Sequence, residues 1–256
     1  MLTPEQIEKK LDKILLKVQK PGRYVGGELN SVHKDWDSVQ THVAFVFPDI
    51  YDIGVSNVGL KILLDQVNQR EDALAERAYA PWLDMEALMR ENGIPLYALE
   101  SKRPLACFDL IGFTLPYETL YTNALNVLDL AGIPVRSADR DLSHPIVIAG
   151  GHSTMNPEPM HAFIDAFVIG EGEEVIHDII NTLSSLRPSG SNPPAHEEIA
   201  STSSASRNDI LLALAKIPGV YVPRFYETSY LDDGTVSHIE PTVADVPKII
   251  TKRIVA

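Results

Sequence analysis

The chain has 256 residues, enough for one α/β domain of ordinary size with an appendage. Hydrophobic residues make up 45% and charged residues 22% of it, and the mean hydropathy is −0.03, the profile of a globular protein whose core needs no disulfide or metal staple. Lys and Arg total 22 against 35 Asp and Glu, a formal charge of −13, which repels phosphate backbones and makes nucleic acid an unexpected partner. No run approaches the roughly 18 apolar residues of a bilayer span, so no membrane association is expected. Met1 to Lys20 offers no uninterrupted apolar stretch, so no secretory leader is expected either. The single cysteine, Cys107, fits a reducing, cytoplasmic setting. One thiol cannot supply a disulfide within the chain, a thiolate zinc site or the cysteine cradle of an iron–sulfur cluster.

Thr3-Pro4-Glu5-Gln6 reads as a capping box with proline in the first turn. Ile7, Leu11, Ile14, Leu15 and Val18 then recur at helical spacing until Pro21-Gly22 stops them. This predicts an amphipathic N-terminal helix docked on its own domain or on a partner, followed by an extended arm to residue 41. Residues 42–186 alternate short apolar runs with helical periods. Strands are predicted at Val43–Phe47, Ala75–Ala80 (the weakest), Asp109–Phe113, Ile146–Ala149 and Asp165–Ile169. Helices are predicted at Asn57–Gln69, from Pro81 to Asn92, at Tyr117–Ala131 and at Glu173–Leu186, while Ile94–Leu99 is ambiguous. Apolar strands separated by helices imply crossover connections and a doubly wound, mostly parallel sheet, whose ligands sit at the carboxyl ends of the strands.

Residues 187–208 are rich in Ser and Pro and carry almost no large apolar side chains, so a disordered linker is expected there. Beyond it, Ile210–Ile217 is predicted as a short helix and Val220–Val222 as a strand. Arg224–Leu231 and Thr235–Ile239 flank Asp232-Asp233-Gly234, a strong hairpin signal. Together 209–256 read as a helix-plus-hairpin extension, and the uncapped ending suggests a cut through a longer protein.

The stretch from Phe47 to Leu60 lies between the first strand and the first crossover helix. It offers carboxylates at Asp49 and Asp52, a phenol at Tyr51, and a helix N-terminus near Ser56-Asn57 whose backbone donors suit an anionic or carbonyl-bearing ligand. A capped strand-to-helix turn would have the same composition. Gly170-Glu171-Gly172-Glu173-Glu174 has the glycines of a phosphate loop, but its carboxylates would repel phosphate and are better placed at the positive end of the next helix. His152, His161 and His177 are not spaced as a metal set, and no metal-binding or catalytic residue is expected in this chain.

Asp49-x-Tyr51-x-x-Gly54 resembles the Asp-x-His-x-x-Gly motif of corrinoid-binding domains, with Tyr in place of the axial His. Thr114, after the third strand, and Gly150-Gly151, after the fourth, match the positions that in that family contact the nucleotide tail of the corrinoid. A narrower resemblance runs over nearly the whole chain outside the Ser-rich segment. Gly150-Gly151-His152, Pro157-Glu158 and Gly170-Glu171-Gly172-Glu173 look like the closing half of the N-terminal domain of B12-binding-type radical SAM proteins. The segments around Gly26-Gly27-Glu28, Pro81-Trp82 and Pro218-Gly219 point the same way. The resemblance implies a flavodoxin-like, cobalamin-binding-type fold and a cofactor site at Asp49, Tyr51, Gly54, Ser56, Thr114, Gly150 and Gly151. It further implies a catalytic radical SAM core downstream, as partner in the same parent chain and as holder of the [4Fe–4S] cluster and S-adenosylmethionine. Tyr51, a hard phenol, is a poor substitute for neutral imidazole. Cobalamin held without a protein axial ligand and a domain that has lost the cofactor therefore both stand as readings. A stand-alone flavodoxin-like binder of a nucleotide or flavin is the third.

Overall fold

The computed structural model describes residues 1–186 and 205–255. The elements run α1 (Pro4–Ile14), β1 (Thr41–Phe47), α2 (Tyr51–Gly54), α3 (Val58–Asn68), β2 (Ala73–Tyr79), α4 (Leu83–Glu91), β3 (Leu110–Thr114), α5 (Tyr121–Leu130), β4 (Ile146–Gly150), β5 (Ala166–Val168), α6 (Val175–Leu186), α7 (Arg207–Leu214), β6 (Val220–Tyr221), β7 (Tyr226–Tyr230) and β8 (Val236–Pro241). Six strands form one sheet in the order β2-β1-β3-β4-β5-β6, parallel but for the last. This is the doubly wound α/β architecture expected. The order reverses at β1, which pairs with β2 on one side and β3 on the other, so the topological switch point lies between β1 and β3.

Every residue of β1 is buried, which is why it reads as a continuous apolar run. The weaker signal of β2 also has a physical cause. Its Glu76 and Arg77 are charged yet only 3% and 6% exposed. Ser101 donates its backbone N–H and hydroxyl to Glu76, and Glu28 and Glu100 pair with Arg77 at 2.7 Å each. Partners distant in sequence thus compensate for charges that local propensity counts against a strand. Ile94–Leu99, ambiguous in sequence, is no ladder strand. It covers the β2 edge, with Leu99 N–H donating to the Arg77 carbonyl.

At the N-terminus the capping box closes as written, with Thr3 and Gln6 exchanging hydrogen bonds. Ile7, Leu11 and Ile14 enter the common core, so α1 docks on its own domain. The segment expected to be a disordered linker lies mostly outside the described residues. Its last residues are helical: α7 starts at Arg207 behind a Ser206 cap, three residues earlier than the apolar pattern indicates. The helix-plus-hairpin extension begins within the main domain: β6 joins the main sheet antiparallel to β5 and Ile210, Leu211 and Leu214 of α7 belong to the same core. The β7–β8 hairpin forms as predicted, with Gly234 at φ +83° in its turn. No helix among the described residues is long and apolar enough to cross a membrane.

Candidate functional site

At the carboxyl ends of β3, β4 and β5 a cavity of about 240 Å³ opens between the sheet and helices α3 and α6. Phe45, Gly112, Ile148 and Val168 of the strands form its floor, and Leu63 of α3 and Ile176 of α6 form its opposite wall. Gly112 is required by this floor, because a Cβ there would stand 2.9 Å from the Phe45 ring. Thr114, Gly150 and Gly151 form part of the lining, with Glu171 and Glu173 from the loop ahead of α6. The lining is chiefly apolar with a few polar groups, the usual character of a small-molecule site.

The loops at the mouth are stitched together. Leu115 N–H donates to the Gly150 carbonyl at 2.7 Å, and the Leu115 carbonyl accepts the backbone N–H of Ser153 and its hydroxyl at 2.8 Å. The Thr154 hydroxyl donates to the carbonyls of Gly151 and Val168. Gly151 sits at φ +111°, where an added Cβ would lie 2.6 Å from the Leu115 oxygen. Only glycine permits that approach. Gly170, at φ +117°, pairs with Arg253 as an isolated bridge, and the Arg253 guanidinium reaches Glu174 and Asp178 at 3.3 and 3.2 Å. One carboxylate of the glycine-rich loop, Glu174, is thus matched by a side chain of the C-terminal segment, and Glu171 accepts the Val255 backbone N–H.

Of the seven residues the sequence assigned to a cofactor, the structure brings three together on this cavity: Thr114, Gly150 and Gly151. Asp49, Tyr51, Gly54 and Ser56 are not among its lining residues. Asp49 closes a turn, its carboxylate accepting the Ile50 N–H. Tyr51 donates its hydroxyl to Glu28 at 2.6 Å and meets Tyr79 edge-on at 5.3 Å. Burial and the Glu28 carboxylate push the Tyr51 phenol up to about 12. Gly54 lies under the Tyr79 ring, which a Cβ would approach to 2.6 Å. Ser56 is exposed, its hydroxyl on the Ile53 carbonyl. The donors expected at the helix start are not all open, because the Asn57 side chain caps α3 by accepting the Leu60 N–H. Asp52 is held by Lys20 and Arg23, which keep its carboxyl down at about 2. The loop after β1 therefore clamps the N-terminal arm.

Sequence reasoning missed Phe45, Ile148, Leu63 and Ile176, which carry only the signal of core residues. Gly59 and Leu63, one helical turn apart on α3, both line the cavity. No group of three or more His, Cys, Asp or Glu among the described residues could hold a metal ion.

The mostly parallel six-stranded sheet with flanking helices defines a doubly wound, flavodoxin-like α/β domain, with a cavity at the carboxyl ends of β3, β4 and β5. The family model described as "Radical SAM proteins, N-terminal" matches residues 59–223, and the chain belongs to that family. It is also 25% identical over 143 residues to the uncharacterized protein MJ0966 of Methanocaldococcus jannaschii, an overlap of 55% of this chain and 26% of that protein. The chain thus covers about a quarter of that relative's length. No solved structure matches it.

Proposed function

We propose that this chain is the cofactor-positioning domain of a radical SAM enzyme, and that its cavity takes the heterocyclic tail of a corrinoid bound without a protein axial ligand. The observation that carries this reading is the convergence of Thr114, Gly150 and Gly151 on one cavity at the carboxyl ends of the strands. Thr114 belongs to the β3–β4 ladder, but its hydroxyl makes no hydrogen bond among the described residues and is left for a ligand. At about 240 Å³ the space falls below the roughly 300–1,000 Å³ of whole small-molecule sites, so it suits one end of a large cofactor. Axial ligation does not fit: Tyr51 is engaged by Glu28 and is not part of the cavity lining. Nor does a [4Fe–4S] cluster fit this chain, whose single cysteine lies against Met1, Sγ to Sδ 3.0 Å. Cluster and S-adenosylmethionine belong, in this reading, to a downstream core in the same parent protein, which would do the chemistry.

A second reading, an interaction domain that kept the fold and lost the cofactor, is favoured by the small volume and by Glu171 and Glu173 in the lining. Gel filtration with hydroxocobalamin separates the two. The first reading expects the corrinoid to co-elute without a His-ligated absorption spectrum, and Gly150→Val to abolish co-elution with the fold intact. A wild-type protein that elutes free of corrinoid overturns it in favour of the second.

A further inference from the structure

A second cavity of about 280 Å³ lies at the edge of β2, between that strand, helix α3 and residues 28–32 of the N-terminal arm. Helix α3 is a wall of both cavities. Gly59 and Leu63 face the first, whereas Lys61, Leu64, Asp65 and Asn68 face the second.

The polar groups of this second space have a distinct character. Arg77 donates from Nε to Glu100 and from Nη1 to Glu28, each at 2.7 Å. Glu28 also accepts the Tyr51 hydroxyl, and Glu100 also accepts the Arg77 backbone N–H. Each carboxylate oxygen can accept two hydrogen bonds, so both residues retain acceptor capacity. Lys61 makes no ion pair within 4.0 Å among the described residues. The Ser31 hydroxyl is buried and has no hydrogen-bond partner among the described residues. A buried orphan hydroxyl in a native fold calls for a ligand or a water. Asn68 is held in place by the two backbone groups of Ala75, to which its amide donates once and from which it accepts once.

Charge narrows the class of ligand. Two cationic side chains stand against three carboxylates in the lining, which disfavours an anion. Glu28 and Glu100 are already bridged by the guanidinium lying between them, which disfavours a cation. What remains is a donor (Lys61 Nζ), acceptors (Glu28, Glu100) and one group that is both (Ser31), beside the apolar surfaces of Val32, Leu64 and Ala75. Hydroxyl groups on a carbon skeleton match that set, since each donates and accepts at once. We propose that the cavity between β2, α3 and the N-terminal arm is a second ligand site, specific for a small neutral polyhydroxylated molecule of pentose size.

The test is a titration of the full 256-residue chain with D-ribose, followed residue by residue through amide NMR shifts. Saturable shifts confined to residues 28–32 and 61–68 are expected. Ser31→Val, which removes the orphan hydroxyl, and Leu64→Phe, which fills the space, should each weaken binding about tenfold, the equivalent of one hydrogen bond, with the shifts of Thr114 and Gly150 unchanged. Three results would overturn the proposal: no saturable shift with D-ribose, binding indifferent to both variants, or tighter binding of inorganic phosphate or methylammonium at the same residues.

Discussion

The hydroxyl of Tyr51 lies 2.6 Å from a carboxylate oxygen of Glu28, across 23 residues of sequence. This bond joins the loop after β1 to the arm that closes over the β2 edge, and it continues through Arg77 to Glu100. Tyr51→Phe should leave the fold intact and lower its stability by about 1.5–3 kcal/mol, the range for a hydrogen bond to a charged group. Urea denaturation at pH 7 measures it.

The same phenol adds an alkaline arm to the stability curve. Burial first, and the Glu28 hydrogen bond second, raise it from 10.0 to about 12. Between those values the folded protein holds a proton that the unfolded chain releases, so the contribution of Tyr51 is full below pH 10 and falls as pH rises towards 12. Wild type should lose stability more steeply than Tyr51→Phe in that window, as read from denaturation midpoints at intervals of pH.

Glu76 behaves in the opposite pH range. Burial raises its carboxyl from 4.5 to about 7, only partly offset by the bonds from Ser101. A raised carboxyl contributes stability that is complete below pH 4.5 and is lost as pH climbs to 7. Glu76→Gln, which keeps an acceptor for the Ser101 hydroxyl, should match wild type near pH 4 and exceed it at pH 8 by about 1–3 kcal/mol. Equal stabilities at pH 8 would show that the carboxylate ionises in place without cost.

Adjacent glycines at the cavity should separate backbone need from space for a ligand. Gly151→Ala forces a Cβ to 2.6 Å from the Leu115 oxygen at φ +111° and should destabilise by more than about 1 kcal/mol. At Gly150 the nearest atom to an added Cβ is 3.9 Å away, on Val168, so Gly150→Ala should unfold within about 0.5 kcal/mol of wild type. Thermal melts of the two variants make the comparison.

The segment after residue 204 is held by a buried pair. Arg207 donates to Asp165 at 2.8 Å and to the carbonyls of Asp141, His144 and Pro145, and the two side chains are 6% and 0% exposed. Arg207→Ala leaves the Asp165 carboxylate without its closest cation and should cost about 3–5 kcal/mol. Faster hydrogen exchange should follow in α7 and β6, the elements that this contact anchors to the sheet.

Legibility in the sequence followed the range of the interaction. The α1 capping box, the apolar run of β1 and the turn at Asp233-Gly234 are each written within a few neighbouring residues, and each formed where it was read. Thr114 and Gly150-Gly151 were read from the resemblance to corrinoid-binding domains, and in the structure they lie at the carboxyl ends of β3 and β4 on one cavity. Asp49, Tyr51 and Gly54 were read alike, yet Asp49 closes its own turn, the Tyr51 hydroxyl goes to Glu28 of the arm and Gly54 packs under the Tyr79 ring. Nothing local distinguishes a tyrosine that will face a ligand from one that will meet a glutamate far back in the chain.

The amino-acid sequence alone determined the order and type of the elements, because hydrophobic period, caps and turn residues act through backbone dihedrals over short spans. The assembled fold alone decided which of those elements share a cavity, where β6 joins the sheet, and that Glu76 and Arg77 can be buried in β2. Those outcomes depend on which distant groups become neighbours when the sheet closes, and the free energy of a buried charge is set by the partner it meets there.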